Sequence, residues 1–223
     1  MIRIILISVA AFLLLFSLFV NAQTAPSLIV TWQAENYAPS GYEGVILPTR
    51  GTAVRAALAL IDAGKIQDLS KKEIRWFTGR ELIKSGLGAV EIEFRTPELA
   101  TGDIALKAVV RNYKNADWEG LTAVPVAEPE IVIDAPYPER KIAAGLNVFK
   151  ALPYFFNIND VIQLVFSWTA NGLKAESGSE EPDRLNLETS LGRSGDEVNL
   201  SVAVLNSLNP LQFASQSLNL TIK

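Results

Sequence analysis

Glu91 and Glu93 are the residues of this chain that come nearest to a catalytic pair. They lie two apart in an alternating segment, so both carboxyls point to one face, roughly 7 Å apart. That separation suits the acid and base of an inverting glycosidase. Such a pair works in a cleft, and nothing in the neighbouring sequence builds one, so the segment reads as a solvated strand face. Glu176, Glu180, Glu181 and Asp183 form a second acidic group, in a polar stretch after Trp168. Loop carboxylates can hold calcium through oxygen ligands. Asn157, Asn159 and Asp160 make a weaker oxygen-rich spot. Neither has the dense alternating spacing of a dedicated calcium loop, and both read as polar loops. Trp32, Tyr37 and Tyr42 cluster near the start of the chain. Aromatic rings there can stack on sugars or grip a partner. The commoner role is to pack a long loop onto its own domain, and that is the expectation. Trp118 is expected at the end of the first half, at the junction with the second.

The residue types that are missing narrow the chemistry further. The chain has no histidine and no cysteine. A structural zinc site, a Cys/His nucleophile and a Ser-His-Asp triad are therefore excluded. Carboxylates, Ser/Lys and Tyr remain. No Ser-x-x-Lys, glycine-rich phosphate loop or dinucleotide fingerprint occurs. No residue is assigned a catalytic, cofactor-binding or metal-ligating role, and no cofactor is expected. The 20 Lys+Arg against 24 Asp+Glu are spread without a basic tract, so nucleic acid is not an expected partner. The sequons at Asn199 and Asn219 fall inside expected strands and read as chance matches.

The elements that would position these residues repeat. Residues 74–112 and 165–206 look like two copies of one motif. The first runs through Trp76, the alternating Val90–Phe94, a Thr-Gly-Asp turn and Ile104–Asn112. The second runs through Trp168, the Asn171-Gly172 turn, Leu185–Leu187, the Ser194-Gly195-Asp196 turn and Val198–Asn206. Period-two alternation between Gly, Asn, Asp and Ser turns is the pattern of an antiparallel sandwich. Each tryptophan is expected at the centre of its core. Leu106, Ala108 and Val110 would form the opposite wall in the first half, and Leu200, Val202 and Val204 in the second. The Ala-rich stretch from Ala53 has helical propensity. It is read as a strand because its counterpart, Gly145 to Phe156, is strand-like. Further strands are expected at Glu73–Phe77, Ala89–Arg95, Asp103–Arg111 and, closing the first half, Leu121–Val126. The final strand, Ser217–Ile222, is expected to leave an exposed edge for a partner's sheet.

Ahead of these units, Met1-Ile2-Arg3 precedes an apolar run from Ile4 to Val20, and Val20 and Ala22 suit a small-residue cleavage site. Residues 1–22 thus read as a signal peptide, with an uncleaved membrane anchor as the alternative. Membrane contact is expected only through residues 4–20, if the leader is retained.

With its Trp strand, Asn-Gly and Gly-Asp turns and closing Val/Leu run ending in Asn, the chain resembles bacterial immunoglobulin-like domains, with the PKD-like branch nearest. It differs from immunoglobulins proper in lacking the two strand cysteines, and from PKD domains in lacking their Asp-Phe-Gly-Asp-Gly run. The resemblance implies an extracytoplasmic scaffold or binding module. The expected fold is all-β: two consecutive immunoglobulin-like antiparallel β-sandwich domains after an N-terminal hydrophobic helix. They would span 26–126 and 131–223, joined by a stiff linker at 127–130. The expected function is that of an exported, non-catalytic adhesion, scaffold or assembly protein of the cell envelope, with a protein or surface polysaccharide as partner. The alternatives are a membrane-anchored part of a secretion or pilus machine, and a carboxylate-dependent enzyme or accessory acting on polysaccharide.

Overall fold

A computed structural model describes residues 25–100, 102–135, 137–178 and 180–223. The signal peptide or anchor expected at 1–22, and the hydrophobic helix expected there, lie outside the described residues. The rest is all-β. In the first half the strands are β1 (Ser27–Ala34), β2 (Ala53–Asp62), β3 (Lys65–Ile66), β4 (Glu73–Thr78), β5 (Glu81–Leu87), β6 (Glu91–Arg95), β7 (Ile104–Tyr113) and β8 (Ala116–Val124). Strand β2 pairs with β1, β6 and the short β3 in one sheet, and the other runs β5-β4-β7-β8. In the second half they are β9 (Glu130–Asp134), β10 (Lys141–Ile142), β11 (Leu146–Tyr154), β12 (Leu164–Ala170), β13 (Leu173–Ala175), β14 (Arg184–Glu188), β15 (Glu197–Asn206) and β16 (Phe213–Ile222). One sheet is β14-β11-β9, and the other β10-β16-β15-β12-β13. Each half is an immunoglobulin-like sandwich, and the two share one antiparallel strand order apart from the short β3 of the first and β10 of the second.

The stretch from Ala53 is a strand because tertiary pairing overrides helical propensity. Ala56 faces Trp32 on one side and Ile92 on the other, so β2 is the middle of its sheet. Its inward residues Val54, Ala56, Leu58 and Leu60 are buried.

The two indoles close the cores in the same way. Trp76 on β4 is 0% exposed and Trp168 on β12 is 1% exposed. Trp76 Nε1–H donates to Ala89 O at 2.8 Å. Trp168 Nε1–H donates to Pro182 O at 3.2 Å. Both carbonyls lie two residues ahead of the strand that follows, β6 or β14. A buried indole needs an acceptor, and the same backbone position supplies it in each copy. The opposite walls are as expected: Leu106, Ala108 and Val110 in one core, Leu200, Val202 and Val204 in the other.

Several expectations need correction. The last strand of the first half begins at Ala116 rather than Leu121. Trp118 is therefore inside β8. It packs on the core of its own half and donates to Tyr113 O at 3.1 Å, so it does not reach the junction. Strand β5 fills the stretch between the expected strands Glu73–Phe77 and Ala89–Arg95, where none was expected, because as an exposed edge it has no buried face to create alternation. The final strand is not a bare edge. Thr221 and Ile222 pair in parallel with β10, and the side chain of Gln216 accepts the N–H of Ile133.

Candidate functional site

The long connection between β1 and β2, residues 35–52, carries Pro39, Gly41, Gly44 and Pro48; its ends are tied to its own sandwich, while its middle reaches the second half. Its base is closed by Glu35 N–H donating to Ala53 O at 3.2 Å. Beyond that it crosses to the second half. Tyr37 N–H donates to Phe156 O, and Phe155 N–H donates to Tyr37 O, both at 2.8 Å. Tyr37 packs on the second core. Tyr42 meets Tyr154 edge-on, with ring centroids 5.5 Å apart, and Phe155 at 5.9 Å. Tyr37 and Tyr42 thus pack a loop as expected, but onto the neighbouring sandwich.

Beneath this strap lies a buried polar network. Asn36, Thr49, Thr52 and Thr96 of the first half are all buried, as are Asn206 and Gln212 of the second. Asn36 Nδ2 donates to Phe155 O at 2.8 Å and to Leu47 O at 2.9 Å. Thr52 Oγ1 donates to Asn36 Oδ1 at 2.9 Å, and Thr52 N–H donates to Thr96 Oγ1 at 2.9 Å. Gln212 Nε2 donates to Thr49 Oγ1 at 2.8 Å and ties the two halves together. Gln212 Oε1 accepts from Asn157 N–H and Asn206 Nδ2, each at 2.9 Å. Satisfied networks of this kind fix one arrangement, because any other leaves polar groups buried without partners. The connector joins in: Ala127 N–H donates to Pro48 O at 2.9 Å, and Glu128 pairs with Arg50.

The strap forms one wall of a groove of about 660 Å³. That wall is Tyr37, Tyr42 and Glu43. The other holds Asp134 from the end of β9, Lys150 and Tyr154 from β11, and Asp183 ahead of β14. Asp134 and Lys150 are cross-strand partners, and Lys150 Nζ sits 3.7 Å from Asp183 Oδ2. The Asp183 side chain is only 16% exposed. Burial, then the negative fields of Asp183 and Asp160, push the pKa of the Tyr37 phenol above its ordinary value. Tyr37 therefore stays a hydrogen-bond donor at neutral pH. The groove offers carboxylate acceptors, an ammonium and a phenol as donors, and aromatic edges and faces.

The other expected spots fall elsewhere. Glu91 and Glu93 share the outer face of β6, beside Arg55 and Lys84, in a shallow hollow of about 460 Å³. Glu93 lies 3.6 Å from Arg55 Nε, which is also 2.7 Å from Glu35 through its Nη2. The acidic group after Trp168 does not converge: Glu181 pairs with Arg184 at 3.0 Å, while Asp183 turns into the groove. Asp160 caps the 3-10 turn Val161–Gln163, and Asn157 belongs to the junction network. The sequon asparagines face each other across β15 and β16, with Asn199 Nδ2 donating to Asn219 Oδ1 at 2.6 Å. Sequence reasoning named Tyr37, Tyr42 and Asp183 but not Asp134, Lys150 or Tyr154. An interstrand loop of unusual length was the available signal, since such loops are often functional.

No family model and no curated protein matches the chain. Among solved structures it is similar to the fibronectin(III)-like modules of Clostridium thermocellum CbhA. The identity is 16%, over 86% of this chain and 94% of that one, with a TM-score of 0.31. Three N-terminal domains of the bacteriophage RB49 Highly Immunogenic Outer Capsid protein are 13% identical over 89% and 70%, with a TM-score of 0.34. The N-terminal Ig1-2 module of the Drosophila receptor protein tyrosine phosphatase DLAR is 15% identical over 89% and 98%, at 0.28. The sandwich assignment itself rests on the strand pairing given above.

Proposed function

We propose that this chain is an exported, non-catalytic protein of the cell envelope, an adhesion, scaffold or assembly module. The observation that carries the proposal is the strap. A long loop of one sandwich is tied to the other through Tyr37, Asn36 and the Thr49–Gln212 hydrogen bond. Two sandwiches locked in this way act as one stiff body, which suits a spacer or a presenting scaffold. The leader pattern of residues 1–22 supports export. Binding would use the groove at the junction, since ligand sites favour domain interfaces.

Two measurements test this. An epitope tag after Lys223 should be reached by antibody once the outer barrier of the cell is opened, without lysis of the cytoplasm. The purified chain should also sediment with envelope fractions in a saturable way and release no sugar or peptide from them. A tag reached only after full lysis, or turnover of an envelope polymer, overturns the proposal. The apolar run Ile4–Val20 favours one variant of this reading, a retained anchor holding the module in a secretion or pilus machine. A mature N-terminus at Gln23 refutes that variant.

A further inference from the structure

The lining of the junction groove has a chemistry that selects among envelope polymers. Its charged groups are mostly acceptors: the carboxylates of Glu43, Asp134 and Asp183. Lys150 is the single cation among the lining residues, and Asp183 at 3.7 Å partly neutralises it. A ligand that satisfies such a wall must bring many donors. It must not bring negative charge, because three carboxylates against one ammonium repel it. Hydroxyl groups fit this demand. The rest of the lining is suited to the carbon face of a ring. Tyr42 and Tyr154 stand edge-on to each other at one side, with Leu152, Pro153 and Val161 beside them. Aromatic and apolar surfaces cover C–H groups while nearby polar atoms take up the hydroxyls.

We propose that this groove binds a neutral glycan chain. The Asp134 and Asp183 carboxylates accept hydrogen bonds from its hydroxyls. Lys150 Nζ and the Tyr37 phenol donate to its oxygens, and Tyr42 and Tyr154 pack on its ring faces. The strap supplies Tyr37, Tyr42 and Glu43, and the second sandwich supplies the rest, so the site exists only while the junction is closed. The proposal deepens the envelope reading and rests on it, because it names the polymer class that such a module would hold.

Affinity electrophoresis of the purified chain in native gels tests it. The gels contain a β-glucan, a mannan or a galactan, with a polyuronate as the anionic control. At least one neutral polymer should retard the chain, and the polyuronate should not. The retardation should persist from about 0.05 to 0.5 M salt, because no ion pair forms with the ligand. Asp134→Asn and Tyr42→Ala should each weaken it about tenfold or more, the loss expected for one hydrogen bond to a charged group or one buried ring contact. Asp134→Asn is nearly isosteric, so its melting temperature should match the wild type even if that of Tyr42→Ala falls. Retardation by no neutral polymer overturns the proposal. So does retardation that both variants leave intact, or salt-sensitive binding to the polyuronate or to a polylysine peptide. If the chain is displayed on the envelope but binds no neutral glycan, this inference fails alone. If the chain stays in the cytoplasm, the broader reading fails.

Discussion

Replacing Gln212 with leucine should weaken the whole chain, not only the second sandwich. The side chain accepts from Asn157 N–H and Asn206 Nδ2 and donates to Thr49 Oγ1. Two of these partners keep other contacts. Thr49 Oγ1 still meets the Thr52 hydroxyl at 3.0 Å, and Asn206 Nδ2 still reaches Asn157 O at 3.3 Å. The Asn157 N–H keeps none among the described residues. An orphaned, partly buried donor costs about 1–2 kcal/mol, and the two weakened contacts add about 1 kcal/mol, for a total of about 2–3 kcal/mol. Unfolding in urea, followed by tryptophan fluorescence, measures this loss. The sharper test is a double-mutant cycle with Thr49→Val. The two residues are 163 positions apart and belong to different sandwiches. Only a closed junction can couple them, and the coupling should be about 1 kcal/mol. A coupling within about 0.3 kcal/mol of zero, or two separate transitions of which Gln212→Leu moves only one, would refute the locked junction.

Three other perturbations probe the cores, the β1–β8 contact and the titrating groups. Trp76→Ala and Trp168→Ala should each cost about 3–5 kcal/mol in chemical unfolding, because each deletes a fully buried indole together with its hydrogen bond. A loss below about 1 kcal/mol would remove that residue from the core. Gly120→Ala should cost about 1–3 kcal/mol, since the added Cβ would sit 2.8 Å from Val30 Cγ2 and 3.0 Å from the Leu28 carbonyl, forcing β1 off β8. Unchanged stability would mean that the two strands are not in contact. The pH profile of the melting temperature should fall at both ends. Hydrogen bonds from Lys114 and Tyr113 hold the Asp62 carboxyl below its ordinary 3.8, so its contribution is present above that value and is lost as pH falls through the lower folded value. Tyr113, hydrogen-bonded to Asp62, and Tyr37, buried in the groove, titrate above their ordinary 10.0 when folded, so stability also declines as pH rises past 10. A maximum below pH 4 would contradict the sign for Asp62, and a rise in stability past pH 10 the sign for the two tyrosines.

The strands with one face on a core were legible because burial imprints a period of two on the residues. The same logic located both tryptophans and, through the repeat, turned the Ala-rich β2 from a helix candidate into a strand. Strands β5 and β13 left no such imprint. They are held by backbone hydrogen bonds at sheet edges, and most of their side chains are exposed. The groove was half legible. Tyr37 and Tyr42 stood out as aromatics in a loop, but their partners Tyr154 and Phe155 lie more than a hundred residues away and read as ordinary strand-end residues. Thr49, Thr52 and Gln212 gave no signal, because a polar residue buried in a network has the same letter as one on the surface.

The strap also explains how two copies of one fold came to differ. In the second copy, the connection between the first long strand and its partner turns at Pro138–Arg140 and returns as β10, which pairs with β16 of the same sandwich. In the first copy, the equivalent connection holds Pro39, Gly41, Gly44 and Pro48, makes no strand, and hydrogen-bonds the end of β11 next door. One segment of the motif thus closes its own sheet in one copy and joins the neighbour in the other. The difference has a cost, since β8 lacks the parallel partner that β10 gives β16. Its edge is covered instead by direct packing on β1 at Gly120, with Trp32 Nε1 donating to Ala123 O at 3.0 Å. A glycine at that contact and a tryptophan over that edge are therefore the local requirements that free the loop to build the junction. Shortening residues 38–46 should leave the first sandwich folded while releasing the second from it. A shortened chain that still melts as one unit, with the Thr49–Gln212 coupling intact, would show that the bonds of Asn36, Tyr37 and Thr49 and the connector at 127–130 hold the junction without residues 38–46.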